Sequence, residues 1–441
     1  MKTFTFYGSK FEPLGANAMA TFIKRAEATT KQRRADVEET VRDMIADIAE
    51  RRDAGVRGYA ETLDGWTEEF RVSRDQIAKV GARLPGTFKE DFAVCRRQVQ
   101  DFAKRQRESL IEIEAEVAPG VTLGHKHIPV RYVGCYIPGG KYPLISAAIM
   151  SIGTARVAGV ESIVSCAPPR DKDGIFGPTL YALDAAGADE IYCLGGVQAL
   201  CSMAFGCVGM APVDMITGPG NAYVSEAKRQ LFGDVGIDLL AGPTEICVIA
   251  DESADPSLVA TDLLGQAEHG PDSPAWLVTT SETFGRAVLA EVERQLETLP
   301  TKDIAAASWR DHGEIVAVAD DDAAIAASDA YAPEHLEVMT RRDDYYLANL
   351  RNYGSLFVGE ETTVAYGDKG IGTNHTLPTA KAARYTGGLW VGKFLKTVTY
   401  QRMTRAASRD FAPVAARLCE AEGLLAHKIT ADVRGARFAS G

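Results

Sequence analysis

Several short-spaced signals of common protein classes are missing from this sequence. None of its eight cysteines forms a C-x-x-C pair, and its seven histidines include no H-E-x-x-H motif. Zinc fingers and the helical metalloprotease motif are therefore excluded. The usual dinucleotide fingerprint G-x-G-x-x-G is also missing from every strand–helix junction. The opening MKTFTFYGSKFEPLG lacks the apolar segment of a secretory signal, so we expect a cytoplasmic protein.

The bulk composition is that of a folded enzyme. The 60 acidic residues exceed the 48 basic ones and give a net charge of -12, which disfavours nucleic acid as a partner. A chain of 441 residues is long enough for two or three domains. The scattered cysteines are expected to be small buried residues in a reducing compartment. The uncharged run 194–213 contains four glycines and a proline, which indicates a buried helix with its loops and no membrane span.

An alternation of strands and helices begins near residue 130. The apolar, β-branched runs fall into two series, RYVGCYI, ESIVSC, DEIYCLGG and VDMITG, then EICVIAD, AWLVTT, EIVAVAD, HLEVMT and GSLFVG. Such alternation predicts an α/β protein with two Rossmann-like, doubly wound parallel-sheet domains. We expect a helical N-terminal arm (1–27), a first domain (28–130 plus 243–385), a second domain (131–242) and a helical tail (386–441). In such sheets ligands bind beyond the carboxyl ends of the strands.

Polar side chains cluster in a few short segments. In QAEHG, Gln266 and His269 share a helix face, so both could bind one metal ion or could simply lie on the surface. The glycine-rich segment YGDKGIGTNH offers Asp368 and His375, and its aspartate could complete a zinc site or cap a turn. No short-spaced ligand set is present, so any metal site must be assembled from distant parts of the chain.

Two further segments pair an acid with a histidine. In APEHLE, Glu334 and His335 can act in one site only if they lie in the loop before a strand, because neighbours on a straight strand face opposite ways. The tail segment EGLLAH carries Glu422 and His427. The turn ITGPGNAY, with Asn221 at a helix start, could hold a pyrophosphate or be a tight connection.

Taken together, these segments resemble the histidinol dehydrogenase family from about residue 30 to the tail. VGCYIPGG, LGGVQA, GPGNAYVSEAK, QAEHGPDS, APEHLE, GTNHTLPT and EGLLAH occur in the family's order. The resemblance implies an intertwined homodimer in which each tail enters the partner's active site. It also implies one Zn²⁺ per subunit held by Gln266, His269, Asp368 and His427, a catalytic pair Glu334 and His335, and NAD contacts at Tyr136, Gln198 and Asn221.

Other segments resemble the sulfopropanediol 3-dehydrogenase branch of that family. PGGKYPL stands where histidinol-oxidising members usually have PGG-[ST]-APL, and AGPTE replaces AGPSE. LDGWTEEFRVS and GGLWVGKFLKTVTYQ also favour this branch. A lysine suits an anionic sulfonate, although a solvated loop lysine is the simpler interpretation. The substrate residues implied are Thr244, His375, Glu422 and Lys141, with Lys381 and Arg384 as further cationic candidates.

The activity expected from this resemblance is a zinc- and NAD-dependent, four-electron oxidation of 2,3-dihydroxypropane-1-sulfonate to 3-sulfolactate. His335 would accept the alcohol proton, and Glu334 would activate water for the second oxidation. The alternatives are oxidation of L-histidinol to histidine, oxidation of another amino or hydroxy alcohol, and a non-catalytic metal- or nucleotide-binding homologue. A cysteine nucleophile is not expected, since none of the cysteines lies in a known nucleophile motif.

Overall fold

The structure is a computed structural model that describes residues 4–6, 9–11, 20–27, 33–139 and 142–439. Its strands, in chain order, are β1 (Phe4–Phe6), β2 (Ser9–Phe11), β3 (Thr21–Lys24), β4 (Ile113–Ala118), β5 (Val121–Pro129), β6 (Tyr132–Tyr136), β7 (Ser162–Ala167), β8 (Glu190–Cys193), β9 (Met215–Thr217), β10 (Gly236–Ile237), β11 (Ile246–Ala250), β12 (Ala275–Thr279), β13 (Glu314–Ala317), β14 (His335–Met339), β15 (Ser355–Val358) and β16 (Leu395–Met403).

Helices separate most of these strands. They are α1 (Arg33–Arg51), α2 (Asp53–Asp64), α3 (Arg74–Arg83), α4 (Gly86–Glu108), α5 (Ser146–Ala148), α6 (Thr154–Ala158), α7 (Gly177–Ala186), α8 (Gly196–Phe205), α9 (Ala222–Leu231), α10 (Pro256–Ala267), α11 (Glu282–Leu296), α12 (Lys302–His312), α13 (Asp321–Tyr331), α14 (Asp343–Asn349), α15 (Val364–Lys369), α16 (Arg405–Ala421) and α17 (Leu425–Phe438). A π-helix, Ile149–Gly153, joins α5 to α6, and 3₁₀ turns occupy Ala382–Arg384 and Val391–Phe394. No helix within the described ranges is both long and apolar enough to cross a bilayer.

Two parallel sheets organise the chain, as predicted. The first has the strand order β10-β9-β6-β7-β8, and all of its pairings are parallel. The second has the order β15-β14-β11-β12-β13-β3, in which only the edge strand β3 runs antiparallel. All nine apolar runs named in the sequence form strands of these sheets. The α/β class is therefore confirmed.

Each sheet is buried on both faces. Along β11, Ile246 and Val248 enter one apolar cluster, whereas Cys247 and Ile249 enter another. This division follows from the pleat, because successive side chains of a strand point to opposite faces. A strand covered on both sides needs a continuous apolar run, which is what the sequence shows at these positions.

The helices of residues 33–108 pack on the first sheet. Val41 and Val56 share a buried cluster with Val164, and Phe92 and Val99 share the cluster on the opposite face. From the sequence, we expected residues 28–130 to belong to the same domain as the second sheet. These helices pack on the first sheet instead. Their apolar stripes indicated that they pack but carried no information on which sheet they cover. The domain limits themselves stay a prediction.

Both chain ends differ from the helical segments that were expected. Within 1–27, the described residues of the N-terminal arm form strands, and β3 pairs antiparallel with β13. The tail 386–441 begins with a long strand, β16, which pairs with β5 in an antiparallel sheet of order β16-β5-β4. Helices α16 and α17 then follow. The expectation of a helical arm is wrong, and that of a helical tail is correct only beyond residue 404.

Candidate active site

The predicted acid–base couple, Glu334 and His335, lies at the start of β14. Helix α13 ends at Tyr331, Ala332 has a left-handed backbone with φ +49°, and His335 is the first residue of the strand. This turn lets two consecutive side chains meet, which a straight strand would prevent. Nδ1 of His335 lies 3.5 Å from Oε2 of Glu334. The two side chains therefore form one unit in the folded chain.

Hydrogen bonding fixes the tautomer of His335. Its Nδ1 lies 3.0 Å from the carbonyl oxygen of Glu245, an acceptor that requires the proton to be on Nδ1. Its Nε2 is buried without a hydrogen-bond partner among the described residues and lies 3.9 Å from Oδ1 of Asp368. Burial lowers the pKa of His335, with the Asp368 carboxylate opposing the shift. The imidazole thus presents an unprotonated nitrogen at neutral pH.

Glu334 is held by two donors at one carboxylate oxygen. The Thr244 hydroxyl donates to Oε2 at 2.5 Å, and the Glu245 backbone N–H donates to the same oxygen at 2.9 Å. Burial raises the pKa of Glu334 well above its usual range, while these hydrogen bonds act in the opposite direction. A carboxyl group with a raised pKa exchanges protons near neutral pH more readily than an ordinary one.

Gln266 lies beside this couple on the last turn of α10. Its amide Nε2 donates to the Thr244 hydroxyl and lies 3.3 Å from Nδ1 of His335. Because the nitrogen makes these contacts, the amide oxygen points away from them. The residue is only 3% exposed, and its amide oxygen is left for another partner. Amide oxygens of this kind can bind a cation.

Asp368 stands between two buried imidazoles. Its Oδ1 lies 3.8 Å from Nδ1 of His375, and its backbone carbonyl accepts the proton of the same nitrogen at 2.9 Å. Nε2 of His375 is buried with no hydrogen-bond partner in the described part of the chain. Burial lowers the pKa of both His269 and His375, and the Asp368 carboxylate opposes both shifts. Neutral imidazoles around a carboxylate are the donors that Zn²⁺ prefers.

The tail residues Glu422 and His427 lie apart from these groups. Both are exposed, and helix α17 has no buried residue. Within the described ranges, no hydrogen bond or ion pair joins either side chain to Asp368 or His335, and no three His, Cys, Asp or Glu side chains are grouped to hold a metal.. One chain therefore brings Gln266, Asp368 and the site histidines together but does not supply the fourth predicted ligand.

These groups lie at the amino-terminal edge of the second sheet. Thr244 and Glu245 directly precede β11, and Glu334 directly precedes β14. Helix α10 runs back along the sheet, so its last turn, with Gln266, reaches the same edge. The predicted metal and base residues thus lie at the edge opposite to the carboxyl ends, where the chemistry was expected. That expectation treated both sheets as having the same role and therefore the same functional edge.

The three residues predicted to contact NAD follow strands of the first sheet. Tyr136 ends β6, and its hydroxyl accepts the Gly196 N–H at 3.2 Å. Gln198 donates to Oδ2 of Asp64 at 2.9 Å, while its own Oε1 is buried without a hydrogen-bond partner among the described residues. Asn221 caps α9 by accepting two backbone N–H groups at 3.1 Å. For this sheet the carboxyl-edge expectation agrees with the positions of all three residues.

A fully buried ion pair holds the glycine turn before Asn221. Lys228 bonds to Oδ1 of Asp238 and donates to the Gly218 carbonyl at 2.9 Å. The other oxygen of Asp238 accepts from the Thr217 hydroxyl and from the Gly218 N–H, both at 2.9 Å. Gly218 has φ +123°, and a Cβ there would lie 2.1 Å from the Tyr136 carbonyl oxygen. Position 218 therefore needs glycine, and the buried Lys228–Asp238 ion pair holds the turn in place.

Two of the cationic candidates lie on a loop beside Glu245. Lys381 is half-buried and has a left-handed backbone with φ +67°, and Arg384 bonds back to its carbonyl at 3.2 Å. The preceding residue, Ala380, donates its N–H to Oε1 of Glu245 at 2.8 Å. Non-glycine residues at positive φ persist only where the surroundings enforce them. Lys141, the third candidate, lies outside the described residues.

Some residues of the site were missed in the sequence. Glu245 contacts both members of the acid–base couple through its backbone. Glu337 is buried and Asp262 is partly buried beside the site. Their positions carry a signal, because Asp262 lies one helical turn before Gln266 and Glu337 lies two residues after His335 on the same strand face.

Glu245 gives a prediction about stability and pH. Burial raises its pKa from 4.5 to about 7, opposed by backbone hydrogen bonds and Lys381. The folded state then binds more protons than the unfolded state between these values, so stability is full below about pH 4.5 and falls as pH rises through about 7. We expect the free energy of unfolding to fall by about 3 kcal/mol across this window, relative to Glu245→Gln. Chemical denaturation of both proteins at a series of pH values tests this, and a pH-independent difference would contradict it.

With this geometry established, comparison with known proteins assigns the family. The family model described as histidinol dehydrogenase matches residues 27–435. This chain belongs to the histidinol dehydrogenase family. The family resemblance seen in the sequence is thereby confirmed.

Individual relatives cover nearly the whole chain. A histidinol dehydrogenase homolog from Shouchella clausii is 52% identical over 95% of this chain and 100% of its own length. Sulfopropanediol 3-dehydrogenase from Ruegeria pomeroyi is 46% identical over 95% of this chain and 96% of its own length. The crystal structure of histidinol dehydrogenase from Elizabethkingia anophelis superposes with a TM-score of 0.85 at 34% identity and covers 93% of each chain. The α/β fold described above is thus the fold of this family.

Proposed function

We propose that this member of the histidinol dehydrogenase family is a zinc- and NAD-dependent dehydrogenase that oxidises a primary alcohol to a carboxylate in two steps. We further propose that its substrate is 2,3-dihydroxypropane-1-sulfonate and its product 3-sulfolactate. The observation that carries the proposal is the buried, unprotonated Nε2 of His335, which lies beside a carboxyl group and among potential metal donors.

His335 is the proton acceptor of the first oxidation. Its free Nε2 takes the hydroxyl proton of the alcohol while hydride passes from the hydroxyl-bearing carbon to NAD, which yields the aldehyde. The positive charge that forms on the ring is stabilised by Asp368, whose Oδ1 lies 3.9 Å from Nε2. The Glu245 carbonyl keeps the ring oriented throughout.

Glu334 is the base of the second oxidation. It takes a proton from water as the water oxygen adds to the aldehyde carbon, and the resulting hydrate anion loses hydride to a second NAD to give the carboxylic acid, which releases its proton to solvent. The Thr244 hydroxyl and the Glu245 N–H hold the carboxylate for this step. Keeping the aldehyde in place makes the second oxidation effectively intramolecular. The carboxylate product forms without a covalent enzyme intermediate.

The donors present fit a zinc ion. Gln266, His269 and Asp368 offer an amide oxygen, an imidazole and a carboxylate, and the neighbouring histidines are kept neutral by burial. We assign the fourth position to His427 of a second copy of the chain. Bound zinc supplies Lewis acidity that holds and polarises the hydroxyl-bearing end of the substrate.

The turns of the first sheet fit a dinucleotide. The rigid turn at Gly218 leads into the N-terminus of α9, where the positive end of the helix dipole favours an anion. The unsatisfied Oε1 of Gln198 gives a further polar contact. We therefore assign Tyr136, Gln198 and Asn221 to NAD, which accepts the two hydrides.

The exposed tail supports a homodimer. Large apolar side chains stand out of α16, α17 and the turn between them, at Phe411, Leu418, Leu424, Leu425, Ile429 and Val433. An apolar surface of this extent is typical of an interface between subunits. We therefore assign Glu422 and His427 to the site of the other copy, which lacks one of its predicted ligands within a single chain.

The choice of sulfonate rests on charge and on similarity. Lys381 and Arg384 place positive charge on the loop that is bonded to Glu245, close to the acid–base couple. Such a loop favours an anion at the substrate's far end and disfavours a cationic amino alcohol such as histidinol. The chain is also 46% identical to sulfopropanediol 3-dehydrogenase and 42% identical to histidinol dehydrogenase from Gluconobacter oxydans.

An NADH-release assay tests the proposal. The zinc-loaded dimer is given NAD with dihydroxypropane sulfonate, with L-histidinol, or with 1,2-propanediol, which lacks the sulfonate. We expect the highest kcat/KM with the sulfonate, a large loss with the neutral diol, and two NADH formed per substrate consumed. A higher kcat/KM with L-histidinol would instead assign the chain to histidine synthesis, the second candidate, which its family name favours. If the enzyme oxidised neither dihydroxypropane sulfonate nor L-histidinol, both assignments would be refuted.

A further inference from the structure

A pair of carboxyl groups lies one layer behind the proposed metal and base residues. Asp262 is on α10, one turn before Gln266, and Glu337 is on β14, two residues after His335. Both spacings keep the two residues of each element on the same face. Their carboxyl groups accept hydrogen bonds from two adjacent residues of the chain and therefore lie near each other.

The pair also reaches a third element of the site. Oδ1 of Asp262 accepts the Thr363 hydroxyl at 3.0 Å, and Oε1 of Glu337 accepts the Val364 N–H at 3.1 Å. Thr363 and Val364 are the N-cap and first residue of α15, the short helix that carries Asp368. The two acids therefore contact every element that contributes Gln266, His335 or Asp368.

The chemistry of the contact requires a proton between the acids. Two neighbouring carboxylates have no donor to offer each other, and their like charges repel more strongly where burial removes solvent. Oε2 of Glu337 is buried with no donor among the described residues, and Glu337 is 1% exposed. One shared proton removes the repulsion and completes the hydrogen bond. Burial raises the pKa of both groups, in agreement with this.

We propose that Asp262 and Glu337 share one proton and act as a positioning pair that fixes α10, β14 and α15 relative to one another. The pair touches neither substrate nor NAD. It sets the spacing of Gln266, His335 and Asp368, and the metal part of this inference rests on the proposed function. The hold on α15 is independent of it.

Two kinds of substitution separate the shared proton from simple packing. Glu337→Gln and Asp262→Asn replace one acid by an amide, which donates to the remaining carboxylate as the protonated acid did. Glu337→Leu fills the space but breaks the bonds to Asp262 and Val364. Glu314→Leu is the matched control, because Glu314 is a buried glutamate of the same sheet that bonds to Tyr331.

The experiment has two readouts. One is zinc affinity, measured by chelator competition, and the other is hydrogen exchange of the metal-free dimer over residues 363–370. For Glu337→Leu we expect zinc affinity to fall by about 10- to 100-fold and exchange of this segment to accelerate. Both amide variants should stay near wild type, as should zinc affinity in the control. If Glu337→Leu does not fold, Thr363→Val, which removes a single hydrogen bond, should show a smaller change in the same direction.

The outcomes are distinct. The positioning role would be overturned if Glu337→Leu exchanged hydrogen over residues 363–370 at the wild-type rate, whatever the enzyme's substrate. If the leucine variant does not fold, the same result in Thr363→Val would overturn it. Amide variants as impaired as Glu337→Leu would overturn the shared proton. Faster exchange with unchanged zinc affinity would overturn the link to the metal residues while leaving the proposed reaction intact.

Discussion

Replacing Glu334 by glutamine should leave the first oxidation nearly intact and slow formation of the acid by about 10²- to 10⁴-fold, the usual contribution of a general base. Glutamine has the same shape, and its oxygen can still accept from the Thr244 hydroxyl and the Glu245 N–H that hold Oε2. His335 keeps its bond to the Glu245 carbonyl and its free Nε2. Only the acceptor for the water proton is lost.

The measurement is the NADH yield per alcohol consumed, together with turnover of the aldehyde supplied directly. The yield should fall from two towards one, and the aldehyde should accumulate. Glu314→Gln is the control, because it changes another buried glutamate of the second sheet that lies next to Tyr331. If Glu334→Gln slowed both oxidations equally, the division of roles between Glu334 and His335 would be wrong.

Replacing Lys228 by methionine is expected to destabilise the protein by about 3–5 kcal/mol, because Asp238 would remain as an uncompensated buried charge. The two side chains are 1% and 0% exposed. Lys228 also supports the turn at Gly218 through the carbonyl that it binds. NAD affinity should therefore fall together with stability.

A second variant separates the two effects. Adding Asp238→Leu removes the buried charge and should restore much of the stability. It cannot restore the hydrogen bonds from Thr217 and Gly218, so NAD binding, measured by calorimetry, should stay weak. Arg229→Met is the control on the same helix, since the Arg229–Glu226 pair is partly exposed and should contribute little. Loss of stability from Arg229→Met comparable to that from Lys228→Met would contradict this account.

The sequence predicted the strands of both parallel sheets because a strand buried on two faces needs an unbroken apolar run. Strand β16 was missed, although KTVTYQRM contains three consecutive β-branched residues, because the segment follows a series of α/β units and precedes two clear helices. Its residues are mostly exposed, so it carries no apolar run. Strand β3 was missed for a related reason, since it is a short edge strand with no fully buried residue.

The members of the site were recognised through family motifs, but its geometry was not accessible from spacing. The tautomer of His335 depends on the Glu245 carbonyl, 90 residues away in the chain. The edge of the sheet that carries the site also depends on the tertiary fold, since strand direction alone favours the opposite edge. The hidden acids Asp262 and Glu337 are recognisable only once Gln266 and His335 are known to share a site.

The central claim is that Gln266, His269 and Asp368 of one subunit and His427 of the other bind one cation beside His335. The most direct test mixes two inactive variants, His335→Gln and His427→Ala, and lets their subunits exchange. If the tail acts on the partner, each mixed dimer contains one intact site, and random mixing should restore about a quarter of wild-type NADH formation. If mixing restores no activity although mixed dimers form, His427 serves its own subunit or no site at all, and the shared site is refuted.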